Sequence, residues 1–238
     1  MREVQLGTLK ARISGGTDRE GAGTGPVVVL MHGYGAPGHD LVSFGRQLPV
    51  PSDVRFVFPE GPLELGFNDA RAWWHIDMAR LQERFDAGLV EQLILEVPDG
   101  IEQAREAMLG LLAALERDLG ANPETTLIGG FSQGSMLATD IVLRSERPFG
   151  GLAILSGSLI SHAEWLPLMS ARAGLPVLQS HGRSDPLLPF ALAERLRDEL
   201  IAAGLPVDFT PFNGGHGVPP TALDKLAVAI RGLTSKPA

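Results

Sequence analysis

Six short apolar runs punctuate the chain: VVVLM at 27–31, VRFVF at 54–58, TTLIGGF at 125–131, LAILS at 152–156, PVLQSH at 176–181 and VDFTPF at 207–212. Continuous, β-branched runs of this length predict strands buried on both faces. Between the second and third, Ile101, Ala104, Met108, Leu111, Leu112 and Leu115 recur at helical spacing, while Glu102, Arg105, Glu106 and Glu116 fall mostly off that face. An amphipathic helix packed on the sheet is predicted there. Residues 189 to about 203 and 221 to 233 also predict helices, so strands and helices alternate. Such alternation implies a mostly parallel central sheet with helices on both faces. At the N-terminus, QLGTLKARI predicts antiparallel edge strands, followed by a glycine-rich, mobile loop, SGGTDREGAGTGP.

Residues 77–99, DMARLQERFDAGLVEQLILEVPD, break the alternation by mixing charges with apolar groups. A lid over a site and a surface excursion both fit such a segment. No repeat or interdomain linker interrupts the rest, and residues 1–238 are expected to form a single domain.

Composition narrows the chemistry. With 238 residues, 44% of them hydrophobic and 20% charged, the chain can bury a large core unaided. The absence of cysteine removes disulfides, zinc–thiolate sites and a thiol nucleophile. A net charge of -8 with no basic run disfavours a nucleic-acid partner. No stretch is long and apolar enough to span a bilayer, and MREVQLGTLKARISGG lacks the apolar centre of a secretory signal, so a soluble cytoplasmic protein is expected.

GFSQG, Gly130 to Gly134, follows the third apolar run and matches G-x-S-x-G, the nucleophile elbow. A serine there tops a tight strand-to-helix turn, and small neighbours avoid collision with adjacent backbone. Capping of a helix is the competing reading of Ser132. The rest of the chain decides between them. Asp185 follows the fifth run and His216 the sixth, so Ser132, Asp185 and His216 all belong at carboxyl ends of strands, where open α/β sheets carry their sites. The chain order Ser, Asp, His is that of an α/β-hydrolase triad. His216 would take the Ser132 proton and Asp185 would orient the imidazole, while the glycines of NGGHG shape the loop that brings it in. The tetrahedral intermediate then needs two amide donors: Gln133 N–H, after the nucleophile, and Tyr34 N–H, in the loop LMHGYGAPGHD after the first run. His32 in that loop reads as a hydrogen bonder that shapes it.

The same loop holds GYGAPG, a match to the dinucleotide fingerprint G-x-G-x-x-G. Pro37 deletes a backbone donor from it, and the oxyanion reading accounts for the loop together with the triad. For metals there is neither H-E-x-x-H nor a cysteine pair; His32, His39 and Asp40 are close, but Asp40 is better read as the N-cap of a helix over LVSFGRQL.

Taken together, LMHGYGAPG, GFSQGS, SHGRSDPLLP and GGHG resemble the phospholipase/carboxylesterase family of α/β-hydrolases, which includes acyl-protein thioesterases. The resemblance runs from about residue 27 to the C-terminus. It implies an α/β-hydrolase fold, a triad of Ser132, Asp185 and His216, an oxyanion hole of the Tyr34 and Gln133 amides, and hydrolysis of carboxylic esters or thioesters with no metal or organic cofactor. Two features depart from the family pattern: AWWHID carries His75 where an aspartate is common, and segment 77–99 is long. Trp73, Trp74, Leu187 and Leu188 are candidates for the substrate pocket, with core packing as the competing reading of each. A serine esterase acting on a small-molecule ester of short or medium acyl length is the leading expectation. The alternatives are an acyl thioesterase or lysophospholipase and, from another class, a catalytically silent α/β-hydrolase scaffold.

Overall fold

The computed structural model describes residues 1–89, 92 and 94–234. Its centre is an eight-stranded sheet built from β1 (Arg2–Leu6), β2 (Leu9–Gly15), β3 (Val27–Met31), β4 (Arg55–Pro59), β7 (Thr126–Phe131), β8 (Gly151–Leu155), β9 (Val177–Gly182) and β10 (Val207–Phe212). The strand order is β1-β2-β4-β3-β7-β8-β9-β10. From β4 to β10 all neighbours are parallel, while β1 pairs with β2, and β2 with β4, antiparallel. Every predicted run is a strand, with shifts of a residue or two at the ends.

Alternation along β3 shows why these runs read as uniformly apolar. Val27, Val29 and Met31 enter one core, whereas Val28 and Leu30 enter the other. The first core is closed by the helices α3 (Ile101–Leu119), α4 (Gln133–Arg144), α5 (His162–Met169) and α6 (Phe190–Ala202). The short α1 (Phe44–Gln47) and α7 (Pro220–Thr234) cover the second through Phe44, Leu226, Ile230 and Leu233. All six apolar positions that predicted a helix over α3 are buried. Burial of this kind stabilises by roughly 25 cal/mol per Å² of apolar surface, and helix α3 gets most of its stability from it.

Two local expectations are corrected, and one helix went unpredicted. The loop over 14–26 is a bonded turn: Asp18 Oδ1 accepts from the Glu20 and Ala22 amides, and Thr17 N–H donates to Ala22 O. Buried Arg55 anchors its far end by donating to Gly25 O. Asp40 caps nothing; it is the first residue of a 3-10 turn, Asp40–Ser43, whose N-cap position is His39 without a side-chain cap bond. Helix α5 is only eight residues long, turns Trp165, Leu168 and Met169 to the core and contains Pro167, so its apolar pattern was too short and too interrupted to expose it.

Segment 77–99 contributes α2 (Met78–Asp86), capped by Asp77 Oδ1 accepting from the Arg80 amide. Val90, Glu91 and Leu93 of its apolar run lie outside the described residues. Further along, Ile94 is buried in the first core, and its carbonyl and that of Glu96 accept from His162 and Ser161 N–H at the start of α5. Arg80 and Arg84 both reach Glu96. Leu95 and Val97 remain exposed. Among the described residues no helix is long and apolar enough to cross a membrane.

Candidate active site

The chain runs outward from β3 to β4 on one side and, after a crossover, from β7 to β10 on the other. The crevice between β3 and β7 is therefore the topological switch point, where loops leaving neighbouring parallel strands diverge and open a site. The loop at 32–40 and Ser132 leave these two strands. Met31 pairs with Gly130, which sets the two loops side by side.

Ser132 has φ 52° and ψ -120°. This sparsely populated backbone costs about 1–3 kcal/mol and persists only where surrounding bonds enforce it. Here Ser132 N–H donates to Leu155 O on β8, and Ser132 O accepts from Ser135 and Met136 N–H. The flanking glycines are required by close approach: a Cβ on Gly134 would stand 2.2 Å from Met31 O, and one on Gly130 2.5 Å from the same atom. Although Ser132 occupies the N-cap position of α4, its hydroxyl makes no capping bond. The side chain is thus not spent on the helix.

Asp185 and His216 come from the loops after β9 and β10, which are paired neighbours. His216 Nδ1 lies 2.7 Å from Asp185 Oδ2, and the imidazole packs on Phe131, the residue before Ser132, with ring centroids 4.8 Å apart. Asp185 Oδ1 accepts from the Leu187 and Leu188 amides at 2.9 and 3.0 Å. Burial opposes ionisation of Asp185, but the His216 bond and the two amides outweigh it and hold the carboxyl below its ordinary range. An ionised Asp185 requires the proton on His216 Nδ1. Nε2 is then left as a base. Ser156 steadies the histidine loop by donating from its hydroxyl to Gly217 O.

The loop after β3 is braced from two directions. A hairpin of β5 (Leu63–Glu64) and β6 (Arg71–Ala72) holds it, with Gly35 N–H donating to Arg71 O and Arg71 N–H to Ala36 O. His32 is buried, donates from Nδ1 to Gly33 O at 2.8 Å, and accepts Gly61 N–H at Nε2. Gly33 carries no Cβ where one would lie 3.3 Å from that of Ser132. Gln133 opens α4, so its N–H belongs to the helix's first turn, which has no intrahelical acceptor. Tyr34 is half-buried in the loop that leaves β3. The GYGAPG loop leads only into a short turn, and a Cβ on Gly38 would strike the Glu60 side chain at 2.2 Å. A pyrophosphate would meet that carboxylate rather than a helix N-terminus.

The pocket candidates separate. Trp73 and Trp74 are 1% and 3% exposed and belong to the core. Trp73 Nε1 donates to His32 O, its backbone N–H donates to Gln133 Oε1, and Gln133 Nε2 donates to Trp74 O. The tryptophans therefore tie the loop after β3 to the turn at Ser132, through a Gln133 side chain that sequence reasoning had set aside. Leu187 is exposed and Leu188 half-buried, and both are tied to the acid by their amides. His75 is exposed. A residue missed from sequence is His181, fully buried, whose Nε2 donates to Leu188 O at 2.9 Å and lies 3.4 Å from Asp185 Oδ2. Burial pushes its imidazole below the ordinary value, so it stays neutral beside the acid. Its place in SHGRSD, at the end of a strand, was the available signal.

The sequence pattern that defines the Phospholipase/Carboxylesterase family matches residues 19–233. The chain belongs to that family. Phospholipase/carboxylesterase relatives include acyl-protein thioesterase 1 of Gibberella zeae, 27% identical over 215 residues that cover 86% of this chain and 88% of the relative. Carboxylesterase SOBER1 of Arabidopsis thaliana is 27% identical over 206 residues, covering 80% and 83%. Among solved structures, esterase PE8 superposes with a TM-score of 0.74 at 28% identity, covering 93% of this chain and 99% of that one. A carboxylesterase from Mesorhizobium loti, at 17% identity and a TM-score of 0.71, shares the fold. This chain thus has the α/β-hydrolase fold and is a serine hydrolase of the esterase kind.

Proposed function

We propose that Ser132, His216 and Asp185 hydrolyse carboxylic esters of short or medium acyl chains through an acyl-enzyme. The observation that carries this is Ser132, strained at φ 52° at the switch point with its hydroxyl making no capping bond, next in sequence to Phe131, on which the imidazole of the His216–Asp185 pair packs. Ser132 Oγ attacks the acyl carbonyl while His216 Nε2 takes its proton. The tetrahedral oxyanion is held by the Tyr34 and Gln133 amides. Collapse breaks the acyl–oxygen bond, and His216 returns the proton to the departing alkoxide. Water, deprotonated by the same imidazole, then frees the acid and Ser132. Asp185 stabilises the imidazolium formed in each half-reaction. Relatives named acyl-protein thioesterase 1 support a second reading, with a thiol as leaving group in the same steps.

Two measurements test this. A fluorophosphonate is expected to label wild-type protein at Ser132; an unlabelled, folded protein would favour the silent scaffold. A panel of p-nitrophenyl esters and acyl thioesters, compared by kcat/KM, separates the two leaving groups, and higher values for the oxygen esters are expected.

Segment 77–99 is proposed to border the acyl pocket. Its Glu96 carbonyl accepts from Ser161, in the loop that leaves β8 at the same rim as Ser132, and Leu95 and Val97 present apolar surface beside it. Exchanging Leu95 and Val97 for serine leaves buried Ile94 untouched. The ranking of p-nitrophenyl esters by acyl length should shift by several-fold. An identical ranking would make the segment a surface excursion.

A further inference from the structure

We propose that His32 is a positioning residue for the oxyanion hole: its Nδ1–H holds the Gly33 carbonyl and thereby turns the Tyr34 amide toward the reacting carbonyl. The inference rests on the hydrolase reading of Ser132. Gly33 C=O and Tyr34 N–H belong to one trans peptide, so they point in opposite directions. Whatever grips the carbonyl aims the amide. The carbonyl is gripped by His32 Nδ1 at 2.8 Å, with a longer contact of 3.3 Å from Ala36 N–H. That bond draws the oxygen toward a ring that is 1% exposed, so the amide of the same peptide is turned away from that ring, and Gly33 itself lies against Ser132.

The imidazole suits this task because neither of its ring nitrogens is free to change roles. Gly61 N–H donates to Nε2 at 2.9 Å, which forces the proton onto Nδ1. The His32 carbonyl is itself fixed by the Trp73 indole, and the ring rests against that indole with centroids 5.3 Å apart. Burial further pushes the imidazole below its ordinary value, so the neutral form persists. A preorganised donor is valuable because it needs no reorientation as charge develops. Loss of one such donor typically lowers kcat by about 10²–10³-fold, and a misaimed one should forfeit part of that.

Two substitutions divide the two bonds of the ring. His32→Asn puts a carboxamide N–H where Nδ1 stands and keeps the grip on Gly33; His32→Gln puts an acceptor where Nε2 stands and keeps only the bond from Gly61. With a p-nitrophenyl ester, His32→Gln should lower kcat by roughly 10–100-fold with KM within about two-fold, and weaken inhibition by a trifluoromethyl ketone by a matching factor. His32→Asn should recover most of both. Equal losses in the two variants, or a loss confined to KM, would overturn the proposal. Nitrogen-15 spectra of wild-type histidines give a check that needs no variant: His32 must carry its proton on Nδ1, and an Nε2–H tautomer refutes the role. If wild-type protein fails to label with fluorophosphonate, the hydrolase reading itself falls. An active, labelled enzyme indifferent to His32→Gln overturns the positioning role alone.

Discussion

Ser132→Ala is expected to leave a folded protein whose ester hydrolysis has fallen by about 10⁶-fold, the scale on which loss of a triad serine acts. Removal of the hydroxyl breaks no capping bond, since Ser132 makes none, and the bonds that enforce its backbone, one of them from the Ser135 hydroxyl, all engage main-chain atoms of Ser132. Alanine meets the same left-handed φ as serine, so the melting temperature should move little. Circular dichroism and a melting curve establish the fold, and initial rates with a p-nitrophenyl ester give the activity. Turnover near the wild-type level from a folded, contaminant-free preparation would remove Ser132 from the chemistry.

Asp185→Asn should keep the loop geometry yet lower kcat by about 10⁴-fold, because an amide facing Nδ1 favours the wrong imidazole tautomer. The carboxylate now accepts from His216 Nδ1 and from the Leu187 and Leu188 amides. A carboxamide oriented with its oxygen toward those amides turns an N–H toward the ring, which must then accept at Nδ1 and carry its proton on Nε2. Such a ring cannot take the Ser132 proton. The pH profile follows from the same contacts. The folded-state pKa of Asp185 is depressed, so its contribution to stability and orientation is present above the ordinary carboxylate value and is lost as pH falls through the lower, folded value. In His216→Ala most of the activity should vanish, and its survival would reassign the base.

Much of this site was legible in the sequence because its logic is local. Apolar runs of five to seven residues marked each strand of the parallel sheet, and the residues just beyond three of them carried a hydroxyl, a carboxylate and an imidazole in hydrolase order. The elbow glycines could be read from sterics alone, and a Cβ on Gly134 would indeed abut Met31 O. Hydrophobic periodicity reports that a residue is buried, not what it touches. Trp73 and Trp74 were candidates for a pocket wall with core packing slightly favoured for each, and long-range packing against the elbow put them in the core. Backbone amides have no sequence signature, so the bonds from Leu187 and Leu188 to Asp185 could not be read from their side chains. Likewise, the neutral tautomer of His32 depends on Gly61, 29 residues away. The sequence by itself determined which chemical groups stand at which strand ends, because strand propensity, turn sterics and residue chemistry act over a few neighbours. Only the tertiary structure decided how those groups are aimed, because aim is set by single hydrogen bonds and ring contacts between segments that meet only when the sheet has formed.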